Sequence, residues 1–330
     1  MSTNNEAYLC LSAMVAARAP KLLTNEKAER MLDAPTFEDA AKLLTDCGYP
    51  DMSQMNASDV EACLAQHRDA IFAELGRYSP DSRLVDVFKL KYDYHNAKVI
   101  IKAEAMGTDA EHLLSDSGRI KGSKLMELYN EEKRLEMPEK LADAMAEAKS
   151  LLARTGNPQL ADFVLDKAYF DELKADAEAL DSPFLKGYAD VLIDAANLKS
   201  TVRTLRMGKG QDFLREVLIP GGNVGIERLA NVTDKDSLSA LYAHSALEKA
   251  GALGGEALSG GSMTAFELAC DNAVSGYLKG AKLVCYGCEP ILAYMANVES
   301  EITAIRMILT GRLAGIAPQV IRERLRDLNA

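Results

Sequence analysis

The stretch Asp93-Tyr94-His95-Asn96-Ala97-Lys98-Val99-Ile100-Ile101-Lys102-Ala103-Glu104-Ala105-Met106-Gly107 decides the fold, because the chain writes it twice. The second copy is Asp194-Ala195-Ala196-Asn197-Leu198-Lys199-Ser200-Thr201-Val202-Arg203-Thr204-Leu205-Arg206-Met207-Gly208. Asp, Asn, Lys, Lys or Arg, Met and Gly recur at the same relative places, 194 − 93 = 101 positions apart. Six matches in one register within one apolar frame mark an internal repeat of about a hundred residues.

The frame is helical. Val87, Leu90, Tyr94, Ala97, Ile101 and Ala105 alternate steps of three and four, as do Phe184, Tyr188, Val191, Ala195, Leu198, Val202 and Leu205. That spacing makes one apolar stripe on an α-helix. Gly107 and Gly208 stand where a helix C-terminus favours glycine. Ser79-Pro80 precedes the first copy and Ser182-Pro183 the second. A third helix carries Ile291, Met295, Val298, Ile302, Ile305 and Leu309 at the same spacing. Asn297, Arg306 and Met307 follow Asn197, Arg206 and Met207 by one hundred positions, 297 − 197, but Lys199 becomes Glu299 and Gly208 becomes Ile308. The expectation is an all-α chain of three similar helical units, 1–112, 113–210 and 211–330.

Composition fits that expectation. The chain has 330 residues, 48% hydrophobic, enough for a sizeable core and for two or three domains. No run of 18 uncharged apolar residues occurs, so no transmembrane helix is expected. Met1-Ser2-Thr3-Asn4-Asn5-Glu6 has no basic leader, and six scattered cysteines suit a reducing cytoplasm. A formal net charge of −11 disfavours nucleic acid and anionic membrane as partners. No alternating β-branched run predicts a strand.

Helices are expected over Tyr8 to Ala19, from the Thr36 cap to Gly48, over Ser58 to Leu75 and over Leu84 to Met106. The second unit follows with Leu125 to Leu135, Lys140 to Arg154, Ala161 to Leu180 and the second motif helix. The third has Phe213 to Ile219, Ile226 to Ala230, Asp236 to Ala250, Phe266 to Val284, Pro290 to Leu313 and Gln319 to Leu328. Gly251 to Gly261 reads as a mobile, glycine-dense loop.

Chemistry-bearing motifs are weak. Cys285-Tyr286-Gly287-Cys288 lacks a strand in front and a second ligand pair, so buried small cysteines are expected there. Gly118-Arg119-Ile120-Lys121-Gly122-Ser123-Lys124 has the wrong spacing for a phosphate loop, and Gly221-Gly222-Asn223-Val224-Gly225 lacks the preceding strand. The four histidines make no metal-ligand pattern, and His95 becomes Ala196 in the second copy. No catalytic, cofactor or metal residue is assigned. What remains are the repeated Asp93, Asn96, Lys98, Lys102, Asp194, Asn197, Lys199, Arg203 and Arg206, with Arg306 in the third helix. They are either ligand contacts in equivalent sites or ties between helices. Repetition favours ties, because a packing solution must be rebuilt in every unit and a catalytic site need not be.

These residues resemble a family of rotor parts in V/A-type rotary ATPases, the C component of the archaeal and bacterial enzymes and the d component of the eukaryotic vacuolar one. The resemblance runs through Tyr8, Ser12, Ala13, Val15, Ala17 and Arg18, the two Asp-x-x-Asn-x-Lys segments, and Tyr294, Glu299, Glu301, Ile302, Ile305, Arg306, Ile308 and Leu309. Gly311 to Ile316 and the helix with Ile321, Arg322, Glu323 and Leu325 extend it. It implies three helical domains in a pseudo-threefold, funnel-like arrangement, with Glu299 and Glu301 joining the structural or interface candidates. It also implies a non-catalytic rotor part without cofactor. Such a part would sit between the central-shaft subunits of the ATP-hydrolysing head and the membrane proteolipid ring, peripheral to the membrane and not inserted. A free-standing helical scaffold, or an enzyme built on scattered acids and Cys285/Cys288, are the rival readings.

Overall fold

A computed structural model describes residues 5–328; residues 1–4, on which the reading of no basic leader partly rests, and 329–330 lie outside them. Among the described residues every regular element is a helix. The first group comprises α1 (Leu9–Arg18), α2 (Asn25–Asp33), α3 (Phe37–Lys42), α4 (Ala57–Tyr78) and the first motif helix α5 (Arg83–Met106). Then come α6 (Gly122–Asn130), α7 (Glu139–Thr155), α8 (Pro158–Ala179) and the second motif helix α9 (Pro183–Arg206). The rest are α10 (Gln211–Val217), α11 (Ile226–Ala230), α12 (Lys235–Tyr242), α13 (Glu248–Leu258), α14 (Met263–Tyr277), α15 (Cys288–Leu313) and α16 (Pro318–Arg322).

Local chemistry sets the boundaries. Thr36 caps α3 by accepting from Asp39 N at 3.1 Å, and Asn56 and Asp59 form a reciprocal capping box at the start of α4. Ser182 Oγ accepts from Leu185 N at 3.2 Å, with Pro183 at the first helical position of α9. Gly107 and Gly208 close the motif helices with φ of +63° and +68°, a conformation costly for residues bearing a Cβ.

The buried apolar residues that are described fall into three clusters. One gathers α1–α4 and Leu84 to Leu90 of α5 with most of α15 and the C-terminal end at Leu328. A second holds Tyr94 to Ile101 of α5 with α6, α7 and α8. A third holds Val191 to Val202 of α9 with α10–α14. The two ends of the chain therefore fold into one core. The motif helix α5 starts in the first cluster and finishes in the second. Likewise α9 starts in the first, at Leu185 and Ala189, and finishes in the third. A 24-residue helix is about 36 Å long, so each acts as a beam anchored in two cores. Their N-terminal ends lie together with that of α15. Ser182 Oγ is 3.3 Å from Cys288 Sγ, and Tyr8 lies where its hydroxyl feels both Cys288 and the Asp81–Arg83 pair.

The expected glycine loop is overturned: α13 runs through Gly251, Gly254 and Gly255 as helix, and all three glycines are buried. The reason is close approach. A Cβ on Gly251 would stand 2.7 Å from Tyr242 Cβ, and one on Gly255 would stand 2.8 Å from both Lys235 O and Ser239 Oγ. Glycine's helix penalty is offset by packing α13 directly on α12 and α14. Gly255→Ala is expected to lower stability by about 1–2 kcal/mol, since overpacking against backbone outweighs the propensity gain of about 1 kcal/mol. Urea denaturation checks it, and a raised midpoint would mean that α13 is not packed so tightly.

Other boundaries move as well. The helix expected over Asp236 to Ala250 breaks after Tyr242, where His244 takes φ +63°. The one expected from Phe266 ends at Tyr277 in a 3₁₀ turn, Leu278–Leu283. That from Leu125 ends at Asn130, ahead of Glu132 at φ +56°. The terminal helix stops at Arg322, and residues 325–328 run on without regular structure.

Candidate functional site

The repeated polar residues form two sets of ties. Asp93 and Asn96 are fully buried, as are Asp194 and Asn197. Asn96 Nδ2 donates to Ser115 O at 2.8 Å while its Oδ1 accepts from Ser115 N at 2.8 Å. Asn197 does the same to Ile219, at 2.8 Å both ways. In each case an amide side chain reads one backbone residue in both directions, fixing the loop that leaves the motif helix. Three residues earlier, Asp93 accepts from Ile120 N (3.4 Å) and Arg119 Nε (2.6 Å), and Asp194 from Val224 N (3.0 Å) and Asn223 N (3.2 Å). Burial pushes both carboxyls above the usual carboxylate range, against the pull of these donors.

The two glycine-containing loops set aside as phosphate binders close on these carboxylates. A Cβ on Gly118 would collide with Asp93 Oδ1, and one on Gly222 would collide with Asp194 Oδ1. The sequence carried this signal as a repeated Asp followed 25 and 28 residues later by Gly (118 − 93, 222 − 194). Unequal loop lengths hid it.

The second set is a charged ladder. Lys98 and Lys102 of α5 pair with Asp166 (2.5 Å) and Asp162 (2.7 Å) of α8. Lys199 and Arg203 of α9 pair with Asp271 and, at 2.6 Å, Glu267 of α14. In α15, Arg306 pairs with Glu61 of α4 at 2.7 Å. These partly exposed pairs contribute little stability individually, but they fix helix register. Arg206 is exposed and has no side-chain partner among the described residues.

The third helix departs from the expected offset. Asn297, one hundred positions after Asn197, makes no loop contact; its Oδ1 is buried without a hydrogen bond among the described residues. The loop contact passes to Glu301, buried at 1% exposure, which accepts from Leu23 N and Tyr49 Oη at 2.5 Å each. Glu299 pairs with Lys91 at 2.8 Å and accepts from Tyr92 Oη at 2.9 Å, linking α15 to α5.

Burial holds the Glu301 carboxyl above its ordinary value. A group whose folded pKa is raised binds its proton more tightly when folded, so its cost is absent below the unfolded pKa of about 4.3 and complete above the folded one. Over that window Glu301 therefore makes stability fall as pH rises. Glu301→Gln is expected to abolish this contribution while keeping an acceptor for Leu23 N. Denaturant midpoints from pH 4.5 to 8 check the sign; an unchanged slope would refute it.

Sequence reasoning did not reach the partners. Arg119 joins Asp93 to Glu172, at 2.6 and 2.7 Å, and Tyr94 Oη donates to Glu172 at 2.8 Å. Arg68, 3% exposed, donates to Tyr92 Oη at 2.6 Å and to Ser117 Oγ. Among the cysteines, Cys288 is buried with its thiol pushed up to about 11 by desolvation. Cys285 is exposed, so the expectation of a buried pair fails there: it lies before the first turn of α15, outside the core.

The tied helices line a half-open cavity of about 620 Å³. Its wall takes Phe88 and Lys91 from α5, Tyr169 and Phe170 from α8, Tyr188 and Lys199 from α9, Asp271 from α14, and Glu299 and Thr303 from α15. Lys91 keeps 41% of its side-chain surface open, and desolvation lowers its pKa against the pull of Glu299. Tyr169 stands 5.9 Å from Tyr94 and 4.7 Å from Phe170, ring to ring, and Tyr188 stacks on Phe88 at 6.3 Å. The wall is thus part aromatic and part charged, with Lys91 and Lys199 set against Glu299 and Asp271. Among the described residues no group of three His, Cys, Asp or Glu side chains is placed to hold a metal ion, and no helix is long and apolar enough to cross a membrane.

These features define an all-helical body whose repeated polar residues hold helices together around a cavity. The chain belongs to the ATP synthase (C/AC39) subunit family, whose model matches residues 11–324. It is 22% identical to the C-type member of this family from the V-type sodium ATPase of Enterococcus hirae, over 97% of this chain and 98% of that one. It is 26% identical to its counterpart from the A-type ATP synthase of Methanocaldococcus jannaschii, over 97% and 86%. The counterpart from the V-type ATP synthase of Thermus thermophilus is 24% identical over 62% and 65%.

Proposed function

We propose that this chain is the non-catalytic central-stalk component of a V/A-type rotary ATPase or ATP synthase. In this reading it is a socket that couples the central shaft of the head to the membrane proteolipid ring for ion transport, on the cytoplasmic side and peripheral to the membrane. The observation that carries the reading is the near full-length family match, joined to a cavity walled by all three motif-bearing helices. The body is read as three related helical units, 1–112, 113–210 and 211–330, whose long helices cross between cores: α5 packs on α6–α8, α9 on α10–α14 and α15 on α1–α4. Asp93, Asn96, Asp194, Asn197 and Glu301 set the walls of the socket. Lys98, Lys102, Lys199, Arg203 and Arg306 lock neighbouring helices, and Glu299 closes the ring between α15 and α5. Torque demands a part that does not deform, and beams anchored in two cores with buried two-way amide contacts resist shear.

The test is a photo-reactive phenylalanine analogue at Tyr188, inside the cavity. In the purified rotary complex it is expected to crosslink to a central-shaft component. A complex that purifies without this chain, or crosslinks only to other components, would end the proposal.

A further inference from the structure

The cavity wall is not built alike on every side. The tied helix α8 lines it through Phe163 and Tyr169, and α14 through Asp271 and Val274. Yet α4, tied to α15 through Glu61–Arg306 in the same manner, contributes none of the described wall residues. Leu325 and Arg326 of the C-terminal tail line it instead.

The tail is fastened at both ends by side chains. Arg326 Nε donates to Asp271 Oδ2 at 2.8 Å, and its Nη2 lies 2.7 Å from the same oxygen. Asp327 N donates to Asn272 Oδ1 at 3.0 Å. Leu328 N donates to Asn25 Oδ1 at 3.0 Å, and Asn25 Nδ2 donates to Leu328 O at 3.2 Å. The tail thus stretches from α14 to the first residue of α2, a span its own backbone does nothing to stiffen, because residues 325–328 have no regular structure.

We propose that residues 323–328 are a releasable wall of the cavity, a strap between α14 and α2 that unfastens to admit the partner proposed above and refastens to retain it. That the partner is the shaft rests on the reading above; the strap does not. Release leaves no orphaned charge. Asp271 also accepts from Lys199, so its carboxylate keeps a cation when Arg326 leaves, and the guanidinium passes to water. The Arg326–Asp271 anchor is partly accessible, at 36% and 26%, while Leu328 is buried at 8% in the first core, so release also uncovers that one side chain. Local opening of such a segment precedes any loss of the core.

The test uses the full chain with Cys10→Ser and Cys285→Ser, which removes the two exposed thiols, and Ser300→Cys, which puts one in the cavity wall. Labelling by a bulky fluorescent maleimide is compared with the parent lacking Ser300→Cys. Untying the strap with Arg326→Ala and Asn25→Ala is expected to speed labelling about tenfold, the effect of losing one or two net hydrogen bonds. Asn272→Cys with Asp327→Cys, oxidised, is expected to slow it about tenfold and to recover on reduction; in both forms labelling is read at position 300 by peptide mass spectrometry, because reduction also frees the thiols at 272 and 327. Circular dichroism monitors folding, and the oxidised-to-reduced comparison within one molecule stands even if the untied variant is unstable. Equal labelling in the oxidised and reduced forms would overturn the strap. The Tyr188 crosslink reports the shaft reading separately, so either idea can fail alone.

Discussion

Asp93→Ala is expected to destabilise the chain by about 3–5 kcal/mol, the range for removing one partner of a buried ion pair. Asp93 is fully buried and holds Arg119 at 2.6 Å, while Arg119 also holds Glu172 at 2.7 Å and Tyr94 completes the group. Without Asp93 the guanidinium keeps one carboxylate, and the loop at Ile120 loses its acceptor. Urea denaturation followed by circular dichroism measures the loss. Arg119→Met added to Asp93→Ala should cost less than the sum of the two single changes, because the two side chains share one ion pair. If the double variant is less stable than the single by the full cost of a second, independent lesion, the four side chains do not act as one network.

Asn197→Ala is expected to cost about 2–6 kcal/mol, because it strands both a buried N–H and a buried carbonyl of Ile219 at about 1–3 kcal/mol each. The matching Asn96→Ala should cost less. Ser115, its partner, is only partly buried, so water can replace the lost amide, whereas Ile219 is 6% exposed. Comparing the two midpoints in urea tests the reasoning independently of the absolute size. An Asn96→Ala cost equal to or above that of Asn197→Ala would show that burial of the loop is not what gives these amides their weight.

Both predictions rest on residues the repeat had already singled out. Two copies of Asp-x-x-Asn at one register announce a role, and the three/four spacing around them announces helix. What the role was could not be read, because every partner lies far off in sequence: Arg119 for Asp93, Ile219 for Asn197, Glu61 for Arg306. The glycines illustrate the same limit. Gly118 and Gly222 resembled fragments of phosphate loops, and Gly251 to Gly261 resembled a linker. Local preference alone makes a glycine-rich run a loop, but tertiary contact turned this one into a helix pressed on Tyr242. The third long helix departs from the other two: Glu301 does at Leu23 part of what Asn197 does at Ile219.

By itself the sequence determined that the chain is helical, where its long helices lie, and which family it resembles. It could do so because apolar periodicity, caps and repeats are written within a helix's length. Only the tertiary structure decided that both chain ends share one core, that the long helices are beams spanning two cores, and that a tail takes the place of α4 in the cavity wall. Those depend on which surfaces bury one another across hundreds of residues, where matching shape and pairing every buried polar group select the arrangement, and local preference does not.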